Sequence, residues 1–397
     1  MKNLEEKKKF NELLPIKTGD QLNIYFHVSE NSGVGYYRQY LPAFKLKESG
    51  LANVLISDFR WGLGDHVEPN MNALFDLMNW ADIAVVGRLD DGNFYARWGG
   101  IREFFNIPIV LDTDDNVRFV RPHNPGYLGY HPNSEALTWN KYGVAKVFDA
   151  LTVSTQDLKD FHSKENPKIY LLPNNLDMKE WNSHPQKVFD DGFVRVGFIA
   201  SAAHTEGIQI IKKALLELMQ KYPQVKFLIT HVYQHLFFDF PEEIRKRIEP
   251  IPWMSLEQWP KGLKSIGLDI GLAPLADNMF NRAKSNLRWM EYSACGIPTI
   301  ASPVKPYLCI QDNKDGIMAK ESHDWFLAME KLVVDKELRH NIGRAAYERV
   351  NTEFNVDNNL ALWVNAYREV HEKFHNYFGS KKRFVALGKG KYRSIKS

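Results

Sequence analysis

The chain has 397 residues, 44% of them hydrophobic and 25% charged, with a formal net charge of +3. That length leaves room for two domains, and the charge is too small to mark a nucleic-acid protein by itself. Two cysteines, Cys295 and Cys309, form neither a metal-ligand spacing nor a disulfide framework, which fits a reducing, cytoplasmic setting. The opening MKNLEEKKKF lacks an apolar signal-peptide segment, and no apolar run reaches the roughly 18 residues of a membrane span, so neither a leader nor a transmembrane segment is expected.

Residues 1–20 read as a charged lead-in. Leu22 to Val28 predicts the first strand, followed by a Gly33-Val34-Gly35 turn and a helix to about Lys47. Glycine there lets backbone N–H groups approach a ligand, although the third glycine of a dinucleotide fingerprint is missing, which argues against an oxidoreductase. Strands are predicted at Asn53–Ser57, Asp82–Gly87, Pro108–Asp112, Ala150–Ser154 and Lys168–Leu172, with helical stretches between most of them. Such alternation predicts an α/β fold with a parallel, doubly wound sheet.

One of these strands runs into Asp112-Thr113-Asp114-Asp115, placing carboxylates at a sheet edge where open α/β sheets bind ligands. The cluster suits a divalent metal, a general base or the hydroxyls of a sugar acceptor, and equally a solvated helix-capping turn. The following segment, Asn116 to Pro132, is rich in Arg, His, Pro, Gly and Tyr and reads as a substrate-covering loop that holds His123 and His131.

Beyond a polar linker, Met178 to Gly192, a strand from Val194 to Ile199 meets the loop Ala200–His204 and a long helix, Thr205 to Lys221. A strand at Val225–His231, a helix near Pro241–Ile248, a short Pro250–Trp253 segment with a core tryptophan, and a helix from Ser255 to Ser265 follow. The densest stretch is Asp269 to Ser302: a strand Ile270–Leu275, an Asp277–Asn278 turn, a helix from about Ala283 to Cys295, a stop at Gly296 and a strand Ile297–Ala301. On that helix Lys284, Arg288, Glu291 and Cys295 share one stripe. The helix N-terminus with Arg282, Lys284 and Arg288 suits a diphosphate, and Glu291 one turn on suits a ribose diol. A surface ion pair between Arg288 and Glu291 accounts for the same pattern equally well.

Glu291-Tyr-Ser-Ala-Cys-Gly-Ile-Pro-Thr-Ile-Ala-Ser302 resembles the nucleotide-sugar signature of retaining GT-B glycosyltransferases of the family 4 type. The resemblance implies two Rossmann-like domains facing a central cleft, residues 1–180 for the acceptor and 193–356 for the donor, then a helix in 357–397 crossing back to the N-terminal domain. It implies sugar transfer from a nucleoside diphosphate sugar, with retention and with neither metal nor separate cofactor. Glu291 takes the ribose-binding role. Ser201, His204, Arg282, Lys284, Ser285, Asn286 and Arg288 line the donor, Gly33 and Gly35 face the cleft with Arg38 as a further phosphate contact, and Lys305 and Tyr307 border the donor. Asp112, Asp114 and His123 stand as catalytic candidates on the acceptor side. The family's second acid, eight positions before Glu291, is Ala283 here, and Asp277 is the candidate substitute. That departure keeps a non-catalytic nucleotide-sugar binder in view. The expected acceptor is a glycan or lipid-linked saccharide, with a hydroxylated base in DNA as the alternative, because Lys381 to Lys396 holds seven Lys or Arg residues and no acid, read as a solvated basic tail.

Overall fold

The computed structural model describes residues 21–30, 32–57, 71–255, 258–388 and 391–395. The lead-in 1–20 therefore lies outside the described residues, as does part of the predicted Ser255–Ser265 helix. Two compact units emerge, one drawn from Met1–Asp114, Asn133–Pro173 and Asn359–Ser397, the other from Asp115–Pro132 and Asn174–Asn358.

The first unit is built on six parallel strands, β1 (Asn23–His27), β2 (Asn53–Ser57), β3 (Ile83–Gly87), β4 (Ile109–Thr113), β5 (Ala150–Val153) and β6 (Ile169–Leu171), in the order β2-β1-β3-β4-β5-β6. The second has β7 (Val194–Phe198), β8 (Val225–Thr230), β9 (Ile248–Ile251), β10 (Ile270–Ala273), β11 (Thr299–Ala301) and β12 (Ile317–Met318), in the order β12-β11-β10-β7-β8-β9. Every pairing in both sheets is parallel. Strands covered on both faces need apolar side chains at successive positions, and β1, β3 and β4 are buried at every residue. The expected α/β, doubly wound architecture is what the chain adopts.

Helices cover the sheets in the way their periodicity dictates. In Thr205–Lys221 the residues Ile208, Ile211, Leu215 and Leu218 recur at three- and four-residue spacing and are fully buried. The last helix, Val356–Phe378, belongs to the first unit from Asn359 onward; there Tyr367 meets Phe26 edge-on at 5.8 Å and Trp363 lies under the Arg38 guanidinium at 5.0 Å. Among the described residues no helix is long and apolar enough to cross a membrane.

Three expectations need correction. Strand β9 falls where a helix and a short irregular segment were expected, and the helix there is only Glu242–Arg245. Trp253 is 64% exposed and therefore not a core residue. The basic terminus is no solvated tail: Arg383–Gly388 (β13) and Lys391–Ile395 (β14) pair as an antiparallel hairpin. It is pinned to the first unit by Phe384 stacked on Phe104 at 4.1 Å, by the Asn79 side chain bonding both Phe384 N (3.0 Å) and Phe384 O (2.6 Å), and by Lys381 Nζ donating to the carbonyls of Asn79 and Ala81. A period-two run with one aromatic facing an apolar patch outweighs the solvation of its charges.

At the end of β1, His27 is buried among Tyr25, Phe94 and Trp98. Burial, and then the Arg97 charge, lowers its pKa from about 6.5 to about 4. Because the folded value is depressed, its contribution to stability is complete above pH 6.5 and is lost as pH falls towards 4, on the order of 3 kcal/mol across that window. Urea unfolding at pH 7.5 and 4.5 should show a smaller pH-dependent loss in His27→Gln than in wild type; equal losses would mean that His27 is not the group that titrates.

Candidate functional site

The strand order of the second unit locates the site before any residue role is assigned. From β7 the chain winds outward through β8 to β9, then returns to β10 on the opposite side of β7 and continues to β11 and β12. The loops leaving the C-terminal ends of β7 and β10 therefore diverge, and such a switch point is where open α/β sheets bind ligands. Those two loops carry Ser201 and His204 on one side and Asp277 to Lys284 on the other.

Side-chain hydroxyls fix the loop after β7. Ile199 N donates to the Tyr292 hydroxyl (3.1 Å), Ala200 N to Thr230 Oγ1 (3.0 Å) and His204 N to the Tyr233 hydroxyl (2.9 Å), while the Tyr233 hydroxyl donates to the Ser201 carbonyl. Burial, then the charges of Lys284 and Arg288, hold the His204 imidazole well below its ordinary value. The imidazole is neutral at pH 7, and two cations act on it.

The stretch after β10 departs from expectation. The helix expected from about Ala283 to Cys295 begins only at Leu287 (Leu287–Ala294, preceded by Asn286), and a separate short helix, Met279–Arg282, capped by the Asn278 side chain on Asn281 N (3.0 Å), stands before it. Lys284 and Ser285 occupy the break, so Lys284 does not share a helical stripe with Arg288 and Glu291. The break brings the ammonium to the helix mouth, within 3.4 Å of Asp115 Oδ1 and 4.6 Å of the Phe280 ring centre. Ser285 Oγ accepts from Asn174 Nδ2 at 3.0 Å, and Asn286 Nδ2 lies 3.4 Å from Cys309 Sγ. The second helix stops as expected at Gly296, whose φ of +66° suits glycine.

Glu291 is 7% exposed; its Oε1 accepts the Trp259 indole N–H at 2.8 Å, and its Oε2 lies 3.5 Å from Arg288 Nη1. This is a buried carboxylate held by a neutral donor and a cation, which excludes the solvated surface pair that the spacing also allowed. Asp277, by contrast, is exposed and chelated by Arg282 at 2.5 and 2.9 Å, which holds its carboxyl below the usual range. The two residues form an exposed ion pair. Lys305 and Tyr307 form a 3-10 turn after β11, with Tyr307 buried.

The segment 115–132 clusters with this second unit. Besides the Asp115–Lys284 contact, His123 Nε2 lies 3.1 Å from Glu206 Oε1, and Glu206 Oε2 accepts from Asn278 Nδ2 at 3.1 Å. His123 thus reaches the loop pair around the switch point, an approach that its place in the sequence gave no means to foresee. Trp259, Asn174, Tyr233 and Glu206 are the partners that the sequence reading missed.

In the first unit the candidates separate. Asp112 accepts from Arg38 Nε (3.0 Å) and Nη2 (2.8 Å) and from Thr152 Oγ1 (2.6 Å), with its side chain 1% exposed and that of Arg38 0%. A carboxylate so enclosed does not meet an acceptor, and an Arg38 so enclosed does not meet a phosphate; both expectations are corrected to a structural ion pair. Asp114 is buried as well. Gly33 and Gly35 form the first helical turn rather than an open loop, and a Cβ on Gly35 would lie 2.0 Å from the Glu30 carbonyl oxygen, whereas one on Gly33 would meet open space. Among the described residues no group of three metal-ligating side chains converges.

Residues 212–365 match the family described as glycosyl transferase-like. No curated protein matches the chain. Among solved structures, Anabaena HepE in complex with UDP-glucose aligns with a TM-score of 0.60 at 12% identity, over 90% of this chain and 100% of that one. Sucrose-phosphate synthase from Thermosynechococcus elongatus aligns at 0.60 and 14% identity, over 89% and 100%. The pneumococcal O-GlcNAc transferase GtfA in complex with UDP and GlcNAc aligns at 0.53 and 13% identity, over 75% and 60%. The chain has the fold of these GT-B glycosyltransferases, and its residues 212–365 carry the glycosyl transferase-like match. The family match runs from within the helix Thr205–Lys221 into the last helix, and so includes β10, the loop after it and the helix Leu287–Ala294.

Proposed function

We propose that the enzyme transfers a sugar from a uridine diphosphate sugar to an acceptor hydroxyl, with retention and without a metal. The observation that carries this reading is the meeting of Lys284, Arg288 and His204 at the β7–β10 switch point, one helical turn from the buried Glu291. Two cations and a helix N-terminus supply the positive field that a departing diphosphate needs, and they act where charge grows in the transition state. Glu291 accepts the ribose hydroxyls. HepE and GtfA, both crystallised with UDP or a UDP-sugar, favour uridine. Retention rests on the resemblance of Glu291–Ser302, with the acceptor oxygen arriving on the face that the diphosphate leaves and no covalent nucleophile required.

The acceptor is a saccharide hydroxyl. A second reading, a hydroxylated DNA base, draws on the charge distribution: residues 381–396 hold seven of the 51 Lys and Arg, leaving 44 against 48 acids in the remainder.

Thermal unfolding with UDP-, GDP-, ADP- and dTDP-sugars tests the donor site. A nucleotide at about 100 times its dissociation constant should add roughly 2.7 kcal/mol, and Glu291→Ala should abolish the shift. A Glu291→Ala protein that responds as wild type does would refute the assignment. With the donor in hand, labelled sugar offered to glycans and to hydroxymethylated duplex DNA separates the two acceptor readings.

A further inference from the structure

The indole N–H of Trp259 donates to Glu291 Oε1 at 2.8 Å. It comes from a rigid position: Trp259 opens the helix Trp259–Ser265 and is followed by Pro260, whose fixed φ suits a first turn. Glu291 has three side-chain torsions, and its ion pair with Arg288 on the same helix is, at 3.5 Å, longer than the indole contact. The 2.8 Å indole contact is of the length that fixes a carboxylate's plane.

We propose that Trp259 is a positioning residue for ribose recognition: its indole N–H holds Glu291 in the orientation that accepts the sugar hydroxyls, and so sets the preference for ribo- over 2′-deoxyribonucleotides. The inference rests on the donor site proposed above. A site built to hydrogen-bond a hydroxyl rejects the analogue lacking it strongly only when its polar groups are held in place. The competing account is that Glu291 merely satisfies a half-buried indole. In that case the contact matters for folding and not for the nucleotide.

The two accounts differ in a selectivity ratio. Calorimetric titration of the full chain with UDP and with 2′-deoxy-UDP would be run on wild type, Trp259→Phe, Trp259→His and Glu291→Ala, with a melting temperature for each. Trp259→Phe removes the N–H and keeps a ring; it should weaken UDP about tenfold, or about 1.4 kcal/mol, while 2′-deoxy-UDP changes about twofold, shrinking the preference about fivefold. Trp259→His, which keeps a ring N–H, should recover part of the preference, and it carries the comparison if the phenylalanine variant does not fold. Equal weakening of both nucleotides, or an unchanged preference beside a Glu291→Ala variant that has lost it, would overturn the inference and leave the donor site standing. A Glu291→Ala variant that keeps both affinity and preference would remove the donor site itself.

Discussion

Alanine at Lys284 or at Arg288 is expected to lower kcat/KM for the donor by about 10²- to 10³-fold, with most of the loss in kcat, as removal of one preorganised charge-stabilising donor does elsewhere. Burial first, and then the charges of Lys284 and Arg288, lower the pKa of His204, so both cations act on the same loop. The ground-state diphosphate already carries charge, so part of the loss will appear in KM, but the charge on the leaving oxygen rises only as the glycosidic bond breaks. Arg282→Ala is the control. Its guanidinium is exposed and paired with Asp277, and a change below about threefold is expected of a solvated pair. The measurement is steady-state release of nucleoside diphosphate at varied donor concentration. A Lys284→Ala enzyme within threefold of wild type would remove the ammonium from the mechanism.

The secondary structure was legible wherever local pattern and tertiary demand agree. Asn53–Ser57 and Thr205–Lys221 have the bounds that their periodicity predicts, because a β-branched run and an amphipathic 3.6-residue repeat each admit one conformation. The break at Ala283–Asn286 was not legible: Ala-Lys-Ser-Asn is tolerated inside a helix, and what divides it is long-range, including the hydrogen bond from Asn174, 111 residues away, to Ser285. The hairpin at 383–395 does carry a strand pattern in Arg-Phe-Val-Ala-Leu, but seven cations in sixteen residues suggest solvation more loudly than one phenylalanine suggests docking. Site chemistry divides along the same line. Residue type and the resemblance suggested Lys284, Arg288 and Glu291 as donor contacts, and the strand order puts the loop before them at a switch point of the sheet. Trp259 reaches Glu291 across 32 positions, and Arg38 reaches Asp112 across 74; neither pairing leaves a local trace.

Loss of the Arg38 side chain is expected to destabilise the first unit by about 3–5 kcal/mol, the usual consequence of leaving one member of a buried ion pair alone. Such a loss would be a large part of a domain's total stability of roughly 5–15 kcal/mol. Arg38 lies in a π-helical turn, Tyr36–Tyr40, that follows the Gly33–Gly35 turn. From there its guanidinium bonds both Asp112 oxygens and the Leu172 carbonyl and sits over Trp363, so residues from three other parts of the chain close around one charge. Arg38→Ala strands the Asp112 carboxylate with Thr152 as its remaining hydrogen-bond donor among those described above. Arg38→Met combined with Asp112→Leu removes both charges and keeps the volume filled, and should recover more than half of the loss, because a well-packed apolar pair needs no desolvation. Urea midpoints of the two single variants and the double variant give the cycle. If Arg38→Ala cost less than about 1 kcal/mol, the pair would behave as a solvated surface pair, and Asp112 would again be open to a substrate at the end of β4.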